Sequence, residues 1–169
     1  LMAGIDTTWS GIGASLWHLA THHDDRDRLV ADPSLLPTAI EEFLRAYSPV
    51  TMARIAADDT EIAGCPVHAG DRVLLNFPAG NRDPEKFERP DEVLIDREKN
   101  RHFAFGIGIH RCIGSNLARM EMNVALATER LRMEPLDLAA HGEELAALLA
   151  DPRVVATMGG EATPEQSRA

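Results

Sequence analysis

Phe103-Ala104-Phe105-Gly106-Ile107-Gly108-Ile109-His110-Arg111-Cys112-Ile113-Gly114 carries more structural constraint than any other stretch of this chain. Gly106 and Gly108 allow backbone turns that side chains resist. Directly behind the cysteine, Ile113, Leu117, Met120, Val124, Ala127 and Leu131 are spaced 4, 3, 4, 3 and 4, the pattern of an amphipathic helix beginning near Ile113. Cys112 therefore stands where a glycine-bearing loop runs into a helix. Free amides and the helix dipole at such a start stabilise a thiolate, and a thiolate is a metal ligand. Taken alone, a single cysteine is more often a small buried hydrophobe than a ligand. His110-x-Cys112 has no second pair at structural-zinc spacing, and no cysteine pair is set up for covalent attachment of a prosthetic group.

Upstream of this loop the apolar period is mostly helical. Ile5, Trp9, Ile12, Leu16 and Leu19 form a stripe that runs to Thr21-His22-His23-Asp24 with no capping residue before it, so a helix whose beginning is missing is expected. A short helix over 25–31 should end at Asp32-Pro33. Pro37 then opens a helix carrying Ile40, Phe43, Leu44 and Tyr47, which Ser48-Pro49 stops because the residue before proline avoids the helical region. From 51 to 77 the period shortens: β-like runs at 52–56, 60–63 and 72–77 are separated by Gly64-Cys65-Pro66 and His68-Ala69-Gly70-Asp71, which are turn chemistry. Residues 78–101, rich in Pro, Asp, Arg and Asn, form an irregular connector, and such a connector inside a compact domain is usually packed around something. The expected class is mainly α with a small β-sheet (α+β), without βαβ alternation.

The 169 residues, 44% hydrophobic and 26% charged, are enough for a core without staples. A net charge of -10 disfavours nucleic acid and anionic membrane surfaces as partners, and no apolar run approaches a membrane span. Two cysteines, Cys65 and Cys112, make no disulfide framework, and no basic n-region opens the chain, so the expected location is cytoplasmic.

The string Phe105-Gly106-x-Gly108-x-His110-x-Cys112-x-Gly114 resembles the haem-binding loop of the cytochrome P-450 (haem-thiolate monooxygenase) family. Glycines let backbone lie against a flat macrocycle, and amides near the sulfur tune its electronics. The resemblance implies haem b with Cys112 as the axial thiolate ligand to iron, and Phe105, Gly106 and Gly114 packed about it. Three more segments follow in the family's order. Ala3-Gly4-Ile5-Asp6-Thr7-Thr8 resembles the distal helix motif: Ala3 and Gly4 leave a groove over the iron, and Asp6 and Thr7 become the catalytic proton-delivery pair. Glu42-Phe43-Leu44-Arg45 resembles the family's buried structural pair, with Glu42 and Arg45 bonded to a third charge for which Arg89 and Arg97 are both candidates. Arg54 and His110 are implied to clamp haem propionates, with His102 a further candidate, and Val50, Thr51 and Met52 to line the substrate side.

The resemblance spans about residues 1–125 and implies a C-terminal portion of a longer fold, with the missing part N-terminal to Leu1. Residues 126–169 read either as a divergent tail or, from Thr128-Glu129-Arg130-Leu131 onward, as similar to the opening of a GNAT-type N-acetyltransferase. The implied activity is hydroxylation or other oxidation of a small-molecule substrate with O2. Electrons would come from a separate ferredoxin or flavoprotein, since no flavin or nicotinamide fingerprint is visible. Arg101, Arg111 and Arg119 flank the loop and are expected to face such a donor. The rival expectations are a haem-binding fragment without turnover and a fusion whose working part is the acetyltransferase-like end.

Overall fold

The computed structural model describes residues 2–127 and residue 147. The chain divides into units of residues 1–132 and 133–169; everything below concerns the first, and the readings made for 128–169 lie outside the described residues. Helices α1 (Met2–Thr21), α2 (His23–Ala31) and α3 (Leu36–Ala46) are followed by strands β1 (Thr51–Ile55), β2 (Thr60–Ile62), β3 (Cys65–Val67) and β4 (Arg72–Asn76), then α4 (Phe77–Gly80) and α5 (Ser115–Ala127).

Helix α3 is the centre of the core. Ala39, Ile40, Phe43, Leu44 and Ala46 are buried, and so are Glu42 and Arg45, so the helix is enclosed on nearly every side. It stops as its sequence requires: the Tyr47 amide closes on the Phe43 carbonyl at 2.9 Å, and Pro49 follows two residues later. The Arg82 guanidinium donates to the freed Ala46 carbonyl at 2.7 Å.

Helix α1 packs against α5, and of the expected stripe only Leu19 is buried. On α1 the buried positions are Gly11, Ser15, His18 and Leu19, while Ile5 and Trp9 stand 55% and 76% exposed. Met122 of α5 packs beside Gly11, where an added Cβ would lie at an ordinary contact distance of 3.9 Å from its sulfur. On α5 the buried residues are Ser115 and Met122; Ile113, Leu117, Met120 and Val124, whose spacing foretold the helix, point outward. The period named the element correctly, and apolarity did not name the buried face.

His18 joins three helices. Its Nε2 lies 2.9 Å from Asp25 of α2 and its Nδ1 2.7 Å from the Tyr47 hydroxyl after α3, while its ring stacks on His22 at 4.0 Å. Burial pulls the His18 pKa below its ordinary value, outweighing the Asp25 carboxylate that favours the charged form. The neutral ring with its proton on Nε2 satisfies both contacts, donating to Asp25 and accepting from Tyr47.

Two antiparallel pairs replace a single small sheet. Strands β1 and β4 pair from Thr51 opposite Asn76 to Ile55 opposite Arg72; β2 and β3 pair from Thr60 opposite Val67 to Ile62 opposite Cys65. The turn of the second hairpin is Ala63-Gly64, with φ of 50° and 83°, the left-handed pair that matches strand twist. Cys65 and Pro66, expected in the turn, therefore belong to β3. The connector after α4 is not loose: Asn81, Phe87, Ile95 and Arg97 are all buried. It is packed against α3 through the bonds described next.

Candidate functional site

The cysteine loop folds on itself. The Gly106 amide donates to the Phe103 carbonyl and the Cys112 amide to the Phe105 carbonyl, both at 2.8 Å, and the Arg111 amide to the Gly108 carbonyl at 3.1 Å. Gly106 and Gly108 have φ of 69° and 66°, so both occupy the left-handed region that side chains resist. Gly108–His110 form one turn of 3-10 helix. The regular helix begins at Ser115 rather than near Ile113, where the Ser115 amide meets the Cys112 carbonyl at 3.3 Å. Cys112 is a free, exposed thiol, and a Cβ at Gly114 would lie 3.8 Å from its sulfur.

Beneath the loop, Glu42 is saturated. One carboxylate oxygen accepts from Arg45 Nη2 and the Leu94 amide, both at 2.8 Å. The other accepts from Arg45 Nε at 2.8 Å, Arg97 Nε at 2.9 Å and Asn100 Nδ2 at 3.0 Å. Burial alone would raise the Glu42 pKa, but the bonds from Arg45, the Leu94 amide and Arg97 hold it below the ordinary value. The third charge is thus Arg97. Arg89 instead forms an exposed pair with Glu92. Arg45 spends its remaining donors on the carbonyls of Asn81, Pro90 and Glu92 at 2.9, 2.7 and 2.7 Å. Arg97 adds the Glu88 carbonyl at 2.6 Å. These bonds tie residues 81–100 onto α3.

Two further residues carry the connection to the loop. Buried Asn81 accepts from the Phe103 amide at 2.6 Å, at the entry to the loop. Glu41, beside Glu42, receives Arg119 Nη2 of α5 at 2.9 Å and His102 Nε2 at 3.0 Å. Sequence reading did not single out Glu41. Its partners are 61 and 78 residues away, and no local spacing marks it. Arg119, expected to face an electron donor, is instead engaged by Glu41 and lies over the Phe105 ring, its guanidinium carbon 4.6 Å from the centroid. His102, a candidate propionate clamp, is likewise bonded to Glu41, whereas Arg101 and Arg111 are exposed.

The remaining predicted residues lie on other elements. Gly4, Asp6 and Thr7 are exposed on α1, where Ser10 Oγ back-bonds to the Asp6 carbonyl at 2.7 Å; Ala3 lies in the same helix. Arg54 on β1 is half-buried and donates to the adjacent Ala53 carbonyl at 2.9 Å; His110 is exposed in the loop. Val50 is half-buried, and Thr51 and Met52 are exposed at the start of β1.

The sequence profile of the family described as "Cytochrome P450" matches residues 25–136, from α2 past the end of α5. The chain belongs to the cytochrome P450 family. It is 44% identical over 147 residues to cytochrome P450 105C1 of a Streptomyces species, covering 86% of this chain and 39% of that protein. It is also 44% identical over 142 residues to the steroid C26-monooxygenase of Mycolicibacterium smegmatis, covering 82% and 35%. Among solved structures, CYP109E1 of Bacillus megaterium with testosterone superposes with a TM-score of 0.73 at 36% identity, over 80% of this chain and 41% of that one. This P450 chain therefore spans about two fifths or less of the relatives it matches.

Its residues fit the haem group of the family. Among the described residues no group of three or more His, Cys, Asp or Glu could hold a metal ion. One exposed thiol beside a glycine-permitted backbone suits an iron whose remaining donors would come mainly from a macrocycle rather than from protein side chains. No described helix is long and apolar enough to cross a membrane.

Proposed function

We propose that this chain is the cysteine-bearing portion of a haem-dependent monooxygenase that oxidises a small organic substrate. The observation that carries the reading is the self-bonded cysteine loop, which presents one free, exposed thiol. Cys112 holds the iron of haem b as a thiolate, with Phe105, Gly106 and Gly114 against it and Arg54 and His110 on the propionates. When bound, haem supplies the activation of O2, and the thiolate's electron donation favours O–O cleavage.

The chain's own groups do the rest. Glu42, Arg45 and Arg97 fix the connector under the loop and contribute to folding and haem retention rather than chemistry. Ala3 and Gly4 leave room on α1; the Asp6 carboxylate takes up a proton and the Thr7 hydroxyl hands one on toward the pocket. Val50, Thr51 and Met52 face the substrate side. Electrons come from a separate ferredoxin or flavoprotein, and of Arg101, Arg111 and Arg119 around the loop the first two are exposed toward an acidic one while Arg119 is paired with Glu41. Unchanged electron-transfer rates in Arg111→Glu across ionic strengths would remove that docking assignment. Two unpaired thiols support a cytoplasmic setting. Residues 1–125 form the haem portion; for 126–169 the family match running on to residue 136 favours a divergent tail over an acetyltransferase-like opening.

The test is a spectrum. Haem reconstitution of the 169-residue chain, reduction and carbon monoxide should give the red-shifted Soret band of thiolate ligation, and Cys112→Ala should abolish it. A band that survives Cys112→Ala, or no such band in the parent, overturns the assignment.

A further inference from the structure

We infer that Glu41 is a positioning residue for the cysteine loop, acting from α3 through Arg119 and Phe105 on the backbone of Cys112. Its carboxylate lies where three pieces of chain meet: α3 itself, the segment entering the loop and the helix leaving it. Arg119 of α5 donates two hydrogen bonds to it, one of them at 2.9 Å, in the paired geometry that gives a guanidinium a fixed orientation. His102 Nε2 lies 3.0 Å from the same carboxylate, and its Nδ1 accepts the Ala104 amide at 3.2 Å. Both flanks of the loop are therefore tied to one side chain.

The link then enters the loop. The oriented Arg119 guanidinium lies over the Phe105 ring at 4.6 Å, a cation–π contact, and the Phe105 carbonyl accepts the Cys112 amide at 2.8 Å. A shift of Arg119 releases the Phe105 ring, and a shift of Phe105 moves the acceptor that holds the Cys112 backbone. The cleft of about 400 Å³ beside the loop is lined by Glu41, His102, Phe105, Gly106, Arg111 and Arg119, so these groups share one wall. The Glu42 network reaches the loop by a different route: Glu42 itself bonds Arg45, the Leu94 amide, Arg97 and Asn100, and the path onward runs from Arg45 to Asn81 and the Phe103 amide at the loop's entry, touching neither Arg119 nor the Phe105 ring. Adjacent glutamates thus divide the work: Glu42 fastens the connector, and Glu41 aims the loop.

The significance for iron rests on the proposed role of Cys112, but the loop geometry is testable without haem. In the haem-free 169-residue chain, Glu41→Gln should speed hydrogen exchange at the Cys112 and Gly106 amides by about tenfold. Amides on the Glu42 side, such as Arg97, should be unchanged. Glu41→Asp should restore part of the protection, and Arg119→Met should reproduce the Gln effect without adding to it in the double variant. Unchanged exchange at Cys112, a uniform rise over the whole chain, or full additivity of the two substitutions would each overturn the inference. After haem loading, the expected result is a fall in the thiolate-ligated fraction of the carbon monoxide complex. A variant with altered exchange and an intact thiolate band would keep the loop-positioning role of Glu41 and overturn its significance for the iron, whereas altered exchange in a chain whose parent gives no thiolate band would count against the Cys112 assignment alone.

Discussion

The Glu42 cluster and the cysteine loop lie close in the fold and are built on opposite plans. Around Glu42 the charged groups are all engaged inside the chain: both carboxylate oxygens, the three Arg45 nitrogens and the three Arg97 nitrogens find protein partners at 3.4 Å or less, while the neighbouring Asn100 Oδ1 and Asn81 Nδ2 are buried without one. At the loop the side chains are left open. Cys112 is exposed, and Ile109 and Ile113 are almost fully so. The loop backbone is ordered by its own bonds, while its side chains remain available. A closed charge network makes the rigid base, and an open loop presents the reactive group.

The largest expected effect comes from breaking the closed region. Glu42 and Arg45 are both fully buried, so Glu42→Gln leaves two guanidinium groups short of their charge partner. Removing one member of such a buried pair costs about 3–5 kcal/mol, a large share of the roughly 5–15 kcal/mol that stabilises a domain. Urea unfolding followed by circular dichroism should show a midpoint shift of that size. Arg97→Met should cost less, since Glu42 keeps Arg45, and Arg89→Ala should leave the midpoint almost unmoved. Equal losses for Arg89 and Arg97 would contradict the assignment of Arg97 as the third charge.

The two regions also differ in how readable they were from sequence. The loop was legible because its constraints are local: glycines with positive φ, a cysteine and a helix period lie within a few residues. The Glu42–Arg45 pair was legible for the same reason, at a spacing of three. Arg97 was left level with Arg89, since choosing between them depends on how the connector doubles back on α3, which no nearby residue encodes. Glu41 was invisible, with both partners beyond 60 residues in sequence. The buried faces of α1 and α5 went the other way: the apolar stripes run through Ile5, Trp9, Leu117 and Val124, all exposed, while Gly11, Ser15, His18, Leu19 and Met122 are the buried positions.

A middle-sized effect separates the regions by pH. Burial alone would raise the Glu41 pKa, but hydrogen bonds and charge from Arg119 and His102 bring it down to about 2 from an ordinary 4.5. A lowered carboxylate pKa contributes stability that is complete above the ordinary value and is lost as pH falls toward the folded one. Glu41 is about a third exposed, so solvent screening reduces the contribution to about 1–2 kcal/mol. Between pH 5 and pH 2.5 the parent chain should lose more stability than Glu41→Gln, and the two unfolding curves should converge at the acid end. Parallel acid limbs would mean that Glu41 carries no such linkage.

The smallest stability effect is expected where the functional effect is greatest. Cys112 is exposed, and the loop's internal bond uses its backbone amide rather than its sulfur. Cys112→Ala keeps that amide and removes one solvent-facing atom, so the unfolding midpoint should move by no more than about 0.5 kcal/mol. The same substitution should eliminate thiolate ligation, so a nearly unchanged urea curve with a lost Soret band would separate reactive group from scaffold within one residue. A loss of 2 kcal/mol or more would instead make Cys112 part of the packing, and the contrast between a closed base and an open loop would fail at its central residue.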